Sequence, residues 1–303
     1  MPKLAPEAYL RPDIIQQVQR FDLKAKFLIE GFLSGLHSSP FKGFSVEFSE
    51  HRKYVRGDDV RTVDWKLWSR TNKYYVKQYE AETNVNGHLV VDVSASMGYA
   101  GLGGALSKLQ YATYLAAAMA HLMIQQQDPV GLVTCSDRIR TFLKPRCRSS
   151  HLYTILKLLA ETAPAGPTRL AENLHLVAGM IPHRGMVLIF SDLLDDAGEE
   201  KVIEALAHLR HQGHDVIVFQ VFDAAEVQFP FKELMRFADI EGTLAPVTAD
   251  PPAIRRAYLG ELHAFRQRFK NECLKRHIDF VPVDTSTSFD KPLLAYLQKR
   301  CGK

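Results

Sequence analysis

Apolar and polar positions along this chain change their period twice. Over residues 7–35, Ile14, Ile15, Val18, Phe21, Leu23, Phe27, Leu28 and Phe32 recur at three- and four-residue steps, a spacing that predicts one or two amphipathic helices. Gly31 and Gly35 weaken that pattern. From Pro40 to Asn86 the texture turns aromatic and charged, with a strand predicted in KYYVKQYEA and a turn in RGDD. After Gly87, continuous apolar runs alternate with helical spacing. The runs are HLVVDV, VGLVTCS at 130–136, IRTFLK at 139–144, MVLIFSD, DVIVFQVFD and IDFVPVD. Helices are predicted over 105–127, 150–162, 169–181, 198–211 and 252–276, with a short one at the end of the chain.

Strands that are apolar throughout, separated by helices, belong to a sheet covered on both faces. The expected architecture is therefore α/β, a doubly wound and mainly parallel sheet, over residues 87–303. Residues 1–86 form an N-terminal helical and small β/loop elaboration. In open sheets of this kind ligands sit beyond the carboxyl ends of the strands, at the switch in strand order. The polar residues there are Asp92, Ser94 and Ser96, then Ser136 and Asp137, Ser191 and Asp192, and finally Asp223.

The stretch VDVSASM concentrates that chemistry. If extended geometry continues past the strand, Asp92, Ser94 and Ser96 project together and offer three oxygens to a hard cation. The same residues also suit a polar exit that caps the next element. Thr168, in AGPTRLAENL, stands before a predicted helix and reads locally as an N-cap. Taken together, Asp92, Ser94, Ser96, Thr168 and Asp192 resemble the metal-ion-dependent adhesion site of von Willebrand factor A-like domains, D-x-S-x-S followed by T and D. The resemblance implies Mg²⁺, or Mn²⁺ or Ca²⁺ in its place, held by those five residues. Magnesium prefers oxygen ligands in octahedral geometry, and a set of three neutral hydroxyls and two carboxylates leaves it attracted to one further oxygen, such as a partner's acidic side chain. In that family the two aspartates often act through water.

Other chemistries fit less well. GYAGLGGALSK follows a strand but lacks the G-K-[ST] ending of a phosphate loop and the third glycine of G-x-G-x-x-G. An aspartyl phosphatase needs a second Asp where Ser94 stands, and no G-x-S-x-G elbow is present.

The block GFSVEFSEHRKYVRGDDVRTVDWKLWSRTNKYYVKQYEAE carries a second resemblance, through Glu47, Phe48, Arg52, Tyr54, Gly57, Asp58, Asp59, Arg61, Asp64 and Trp65. It is similar to the hallmark of a bacterial family known as domain of unknown function fifty-eight, which precedes a von Willebrand A-like domain. The resemblance implies a non-enzymatic component that works with a MoxR-type AAA+ ATPase in protein remodelling or complex maturation. The interleaved charges around Trp65, Trp68 and Tyr54 suit a packed structural segment. Alternatively, Arg61, Lys66, Arg70, Lys73 and Lys77 among aromatics could stack against single-stranded nucleic acid.

Composition narrows the classes without choosing among them. With 46% apolar residues in 303, the chain can bury a large core, and 38 basic against 34 acidic residues make no demand for nucleic acid or an anionic membrane. Cys135, Cys147, Cys273 and Cys301 are scattered without a C-x-x-C pair, as expected of reduced thiols. No apolar run is long enough to span a bilayer, so a cytoplasmic protein is expected. His208 and His211 share a helix face that Gly213 terminates, which separates them from His214. A metal-assisted hydrolase is the alternative function, with Asp137, Asp195 or Asp223 as candidate bases.

Overall fold

The computed structural model describes residues 46–54, 65–81, 86–101, 106–125, 127–242 and 245–287, with 46–53, 66, 76–81 and 125 described as backbone. The helices expected at 7–35, the RGDD turn and the final short helix lie outside these residues. The described residues fall into two compact units that divide between Val85 and Asn86.

In the first unit, β1 (Val46–Lys53) pairs antiparallel with β2 (Tyr75–Ala81), and α1 (Trp65–Thr71) lies between them in sequence. The strand expected in KYYVKQYEA is β2. Trp68 stacks on Tyr74 at 6.1 Å, with Trp65 edge-on to Trp68 and Tyr54 tilted against Tyr74. The described aromatics thus touch one another, while Trp65 and Tyr74 each stay about half exposed.

The second unit is built on β3 (Gly87–Asp92), β4 (Val130–Cys135), β5 (Ile139–Arg146), β6 (Met186–Ser191), β7 (Asp215–Phe222) and β10 (Asp279–Asp284). They form one sheet in the order β10-β7-β6-β3-β4-β5. All neighbours are parallel except β5, which runs antiparallel to β4 at the edge. That pair departs from the expected alternation of strand and helix. Only Ser136, Asp137 and Arg138 connect the two strands, and a parallel crossover needs a dozen residues or more. A minor hairpin, β8 (Met235–Phe237) with β9 (Val247–Ala249), stands apart from the sheet.

Among the described residues the unit has five principal helices, α2 (Lys108–Gln125), α3 (Ser149–Glu161), α4 (Leu170–Met180), α5 (Glu199–His211) and α7 (Pro251–Lys275), with the single turn α6 (Ala224–Gln228) after β7. Alternate strand residues divide between the two faces of the sheet. Val90, Val133, Val187, Ile189, Val216 and Val218 join Leu174, Val177, Leu206, Leu209 and Phe269 in a core under α4, α5 and α7. The opposite face takes α2, whose Ala112, Ala116, Ala117 and Ala120 are fully buried. Small side chains let that helix lie close to the sheet, so even its amino-terminal Lys108 is buried.

This topology sets the position of the site. The chain leaves β3 toward β4 on one side, whereas β6 leads toward β7 on the other. The switch in direction therefore falls between β3 and β6, at Asp92 and at Ser191 with Asp192. Among the described residues no helix is long and apolar enough to cross a membrane.

Candidate functional site

The carboxyl end of β3 turns sharply as soon as the strand stops. Asp92 accepts the Ser94 N–H on Oδ1 at 3.0 Å, an Asx turn that ends the extended run. A single 3₁₀ turn over Ala95–Gly98 follows. Tight winding brings Ser94 Oγ and Ser96 Oγ to 3.0 Å from each other. The loop before α4 is tied alongside, because Ala95 N–H donates to the Gly166 carbonyl and Ala165 N–H to that of Val93, both at 2.9 Å. The loop that leads to Thr168, 72 positions after Ser96 (168 − 96), is thus tied to the serine turn.

From β6, the Ser191 hydroxyl donates to Asp92 Oδ2 at 2.6 Å. Asp92 is buried, and burial first, then the charge of Asp192, pushes its carboxyl up from 3.8 to about 7. Asp192 has a different partner. Its Oδ2 receives the Lys108 ammonium at 2.7 Å, while its Oδ1 accepts the Leu194 N–H. The same ammonium reaches Glu226 at 3.0 Å and lies 5.9 Å from the centre of the Phe222 ring. Burial pulls Lys108 down, but Asp192 and Glu226 outweigh it and hold its pKa above the usual value.

The local N-cap reading of Thr168 does not describe its hydrogen bonds. Arg169 is the cap residue of α4 and makes no side-chain cap bond, and the free Ala171 N–H is taken by Asp195 at 2.9 Å. Thr168 instead donates twice to one carboxylate: its N–H to Glu241 Oε2 at 2.9 Å and its hydroxyl to Oε1 at 2.5 Å.

Of the five residues expected at the rim, Asp92, Ser94 and Ser96 are in direct contact. Asp192 joins them through the Asp92 charge and the adjoining Ser191, and Thr168 through its tied loop. Among the described residues no group of three or more His, Cys, Asp or Glu gathers to hold a metal. A hydroxyl-rich set does not depend on such a group, and the donors here fit a hard ion. At 2.0–2.1 Å, neighbouring ligands of an octahedral ion are about 2.9 Å apart, close to the Ser94–Ser96 separation. A hydroxyl that donates its proton to a carboxylate, as Thr168 does, keeps its lone pairs for a cation.

The hydrolase candidates are occupied elsewhere. Asp137 accepts from Ser136 and Arg140, Asp195 caps Ala171 and Ala197, and Asp223 caps α6 while accepting the Thr285 hydroxyl. His208 pairs with His175 across helices at 2.9 Å, and His214 is buried with its Nδ1 accepting the Gly185 N–H. Cys135, Cys147 and Cys273 are free thiols.

Sequence reasoning missed three members of this rim. Lys108 could have been found as a lone cation heading an apolar helix. Glu226 closes the capping box D-A-A-E that opens at Asp223, a local signal for a helix start and not for this rim, and Glu241 lies in a segment with no distinguishing pattern.

Among solved structures, the chain is similar to the conserved hypothetical protein BatB from Bacteroides thetaiotaomicron, at 16% identity and a TM-score of 0.46, over 72% of this chain and 98% of that one. It is also similar to an aerotolerance-related membrane protein from Bacteroides fragilis, at 20% identity and a TM-score of 0.48, over 71% of this chain and 99% of the other. Two sequence relatives are the uncharacterized protein Rv1480 of Mycobacterium tuberculosis and the uncharacterized protein Mb1516 of Mycobacterium bovis. Each is 27% identical over 248 residues, covering 80% of this chain and 76% of the relative. The family described as "Protein of unknown function DUF58" matches residues 50–268, and the chain belongs to it.

Proposed function

We propose that the protein is a metal-dependent protein-interaction adaptor of von Willebrand A type, cytoplasmic and non-enzymatic, in which Asp92, Ser94, Ser96, Thr168 and Asp192 hold Mg²⁺ or a related divalent ion. One observation carries this reading: two serine hydroxyls stand at 3.0 Å from each other beside the buried Asp92, at the sheet's switch point. Asp92 Oδ1 and Oδ2 are already oriented by Ser94 N–H and the Ser191 hydroxyl, which fixes the carboxylate before any ligand arrives. When bound, the ion would supply attraction for an acidic side chain of a partner. Lys108 offsets the charge of Asp192, which lowers the cost of two neighbouring buried carboxylates.

Among the described residues the hydrolase candidates Asp137, Asp195 and Asp223 serve as caps or pair with neighbours, which favours recognition over turnover. The partner proposed is a MoxR-type AAA+ ATPase, with protein remodelling or complex maturation as the joint task. The test is capture of such a purified ATPase on immobilised protein in Mg²⁺ and again in excess chelator. Capture in Mg²⁺ alone, abolished in Ser94→Ala/Ser96→Ala, is expected. Equal capture in all conditions would remove the metal from the interaction, and no capture would remove the partner.

A further inference from the structure

Thr168 is 4% exposed, yet both its donors are engaged by a residue 73 positions further along the chain. Two donors meeting the two oxygens of one carboxylate form a fork, the geometry by which carboxylates are recognised. This corner of the rim is therefore a carboxylate-binding site, and the chain fills it with its own Glu241. We propose that Glu241 is a built-in competitor: it occupies the Thr168 corner until an acidic side chain of a partner displaces it. The inference rests on the adaptor reading and adds to it a regulating residue.

The segment that carries Glu241 is suited to leaving. Its base is fastened, since Phe237 of β8 stacks at 6.0 Å on Phe229, which itself meets Tyr258 at 4.6 Å. Ile240, beside Glu241, is 50% exposed, so moving it uncovers little apolar surface. Glu241 is set by a local turn, its N–H donating to Asp239 Oδ1 at 2.9 Å, and Gly242 follows with φ +76°, a conformation glycine adopts without strain. The β8–β9 hairpin is not part of the six-stranded sheet, so the Glu241 carboxylate can leave Thr168 without breaking that sheet. While anchored, it acts on Thr168 as a tethered ligand at an effective concentration of about a millimolar or more, which an outside carboxylate must overcome.

The test uses acetate as the carboxylate probe, followed at the Thr168 backbone amide by nuclear magnetic resonance on the full chain. Wild type, Glu241→Gln and Glu241→Ala are titrated without added metal and again with Mg²⁺. Glu241→Ala is expected to show a saturable shift at Thr168 with an apparent affinity about tenfold or more above wild type. Glu241→Gln, which keeps an oxygen for one of the two donors, should fall between. Adding Thr168→Val to Glu241→Ala removes the hydroxyl donor and leaves the backbone one, so the response at position 168 should weaken. Equal acetate responses in wild type and Glu241→Ala, or no response in either, would overturn the proposal and leave Glu241 as a structural tether. Failure of Mg²⁺ to bind wild type would count against the adaptor reading alone, because the metal-free acetate comparison stands without it.

Discussion

The two ends of β3 bury titratable side chains four residues apart, and they are built differently. At the amino end His88 is buried, and burial followed by the nearby His214 lowers it from 6.5 to about 4, so the ring is neutral. Among the described residues its Nδ1 has no hydrogen-bond partner. The backbone there is packed at close range: a Cβ on Gly185 would lie 2.3 Å from the Asn86 carbonyl oxygen. At the carboxyl end Asp92 is equally buried, but both its oxygens are hydrogen-bonded and a buried ion pair, Lys108 with Asp192, lies next to it. Burial alone therefore does not mark a site. What separates the ends is that one excludes charge and the other retains it at a cost.

The largest expected effect follows from that difference. Lys108→Met leaves Asp192 and Glu226 without their cation and should lower unfolding free energy by about 3–5 kcal/mol in urea denaturation. His88→Leu, at the neutral end, should stay within about 1.5 kcal/mol of wild type. If the two variants cost alike, the contrast between the ends is wrong. Next in size is Gly185→Ala, which forces a methyl against backbone and should cost about 1–3 kcal/mol by the same measurement.

The smallest effect is on pH dependence, because the two ends oppose each other. Asp92 is raised in the fold, so its contribution is fully present below its ordinary value of 3.8 and is lost as pH rises through about 7. His88 is lowered, so its contribution is present above 6.5 and is lost as pH falls through about 4. Both act across nearly the same window with opposite sign. Relative to wild type, Asp92→Asn should make stability rise more steeply with pH between about 4 and about 7, and His88→Leu should make it fall. Denaturation midpoints at several pH values check both slopes, and identical slopes in the three proteins would contradict the assigned shifts.

Much of the fold was legible in the sequence because β3, β4, β6 and β7 are apolar on both faces, which only a doubly covered sheet requires. The β4–β5 hairpin was legible as two strands, and its antiparallel direction follows from a three-residue connection. Asp92, Ser94 and Ser96 were readable for a local reason, since one turn brings them together. Thr168 was placed at the rim only through the family resemblance. Its local N-cap signal pointed to the helix, whereas the stronger interaction came from Glu241 across the tertiary fold. Lys108 and Glu226 escaped for the same reason: a partner 84 or 118 residues away leaves no periodic trace.

The central claim is that the carboxyl end of β3 holds its charged and hydroxyl groups in readiness for a divalent ion. Titration of Mn²⁺ followed by electron paramagnetic resonance tests it most directly, with wild type and Asp92→Ala/Ser94→Ala compared at the same pH. One ion per wild-type chain, bound about a hundredfold more weakly by the double variant, is the predicted result. Equal binding by the two proteins, or none by wild type, would contradict it.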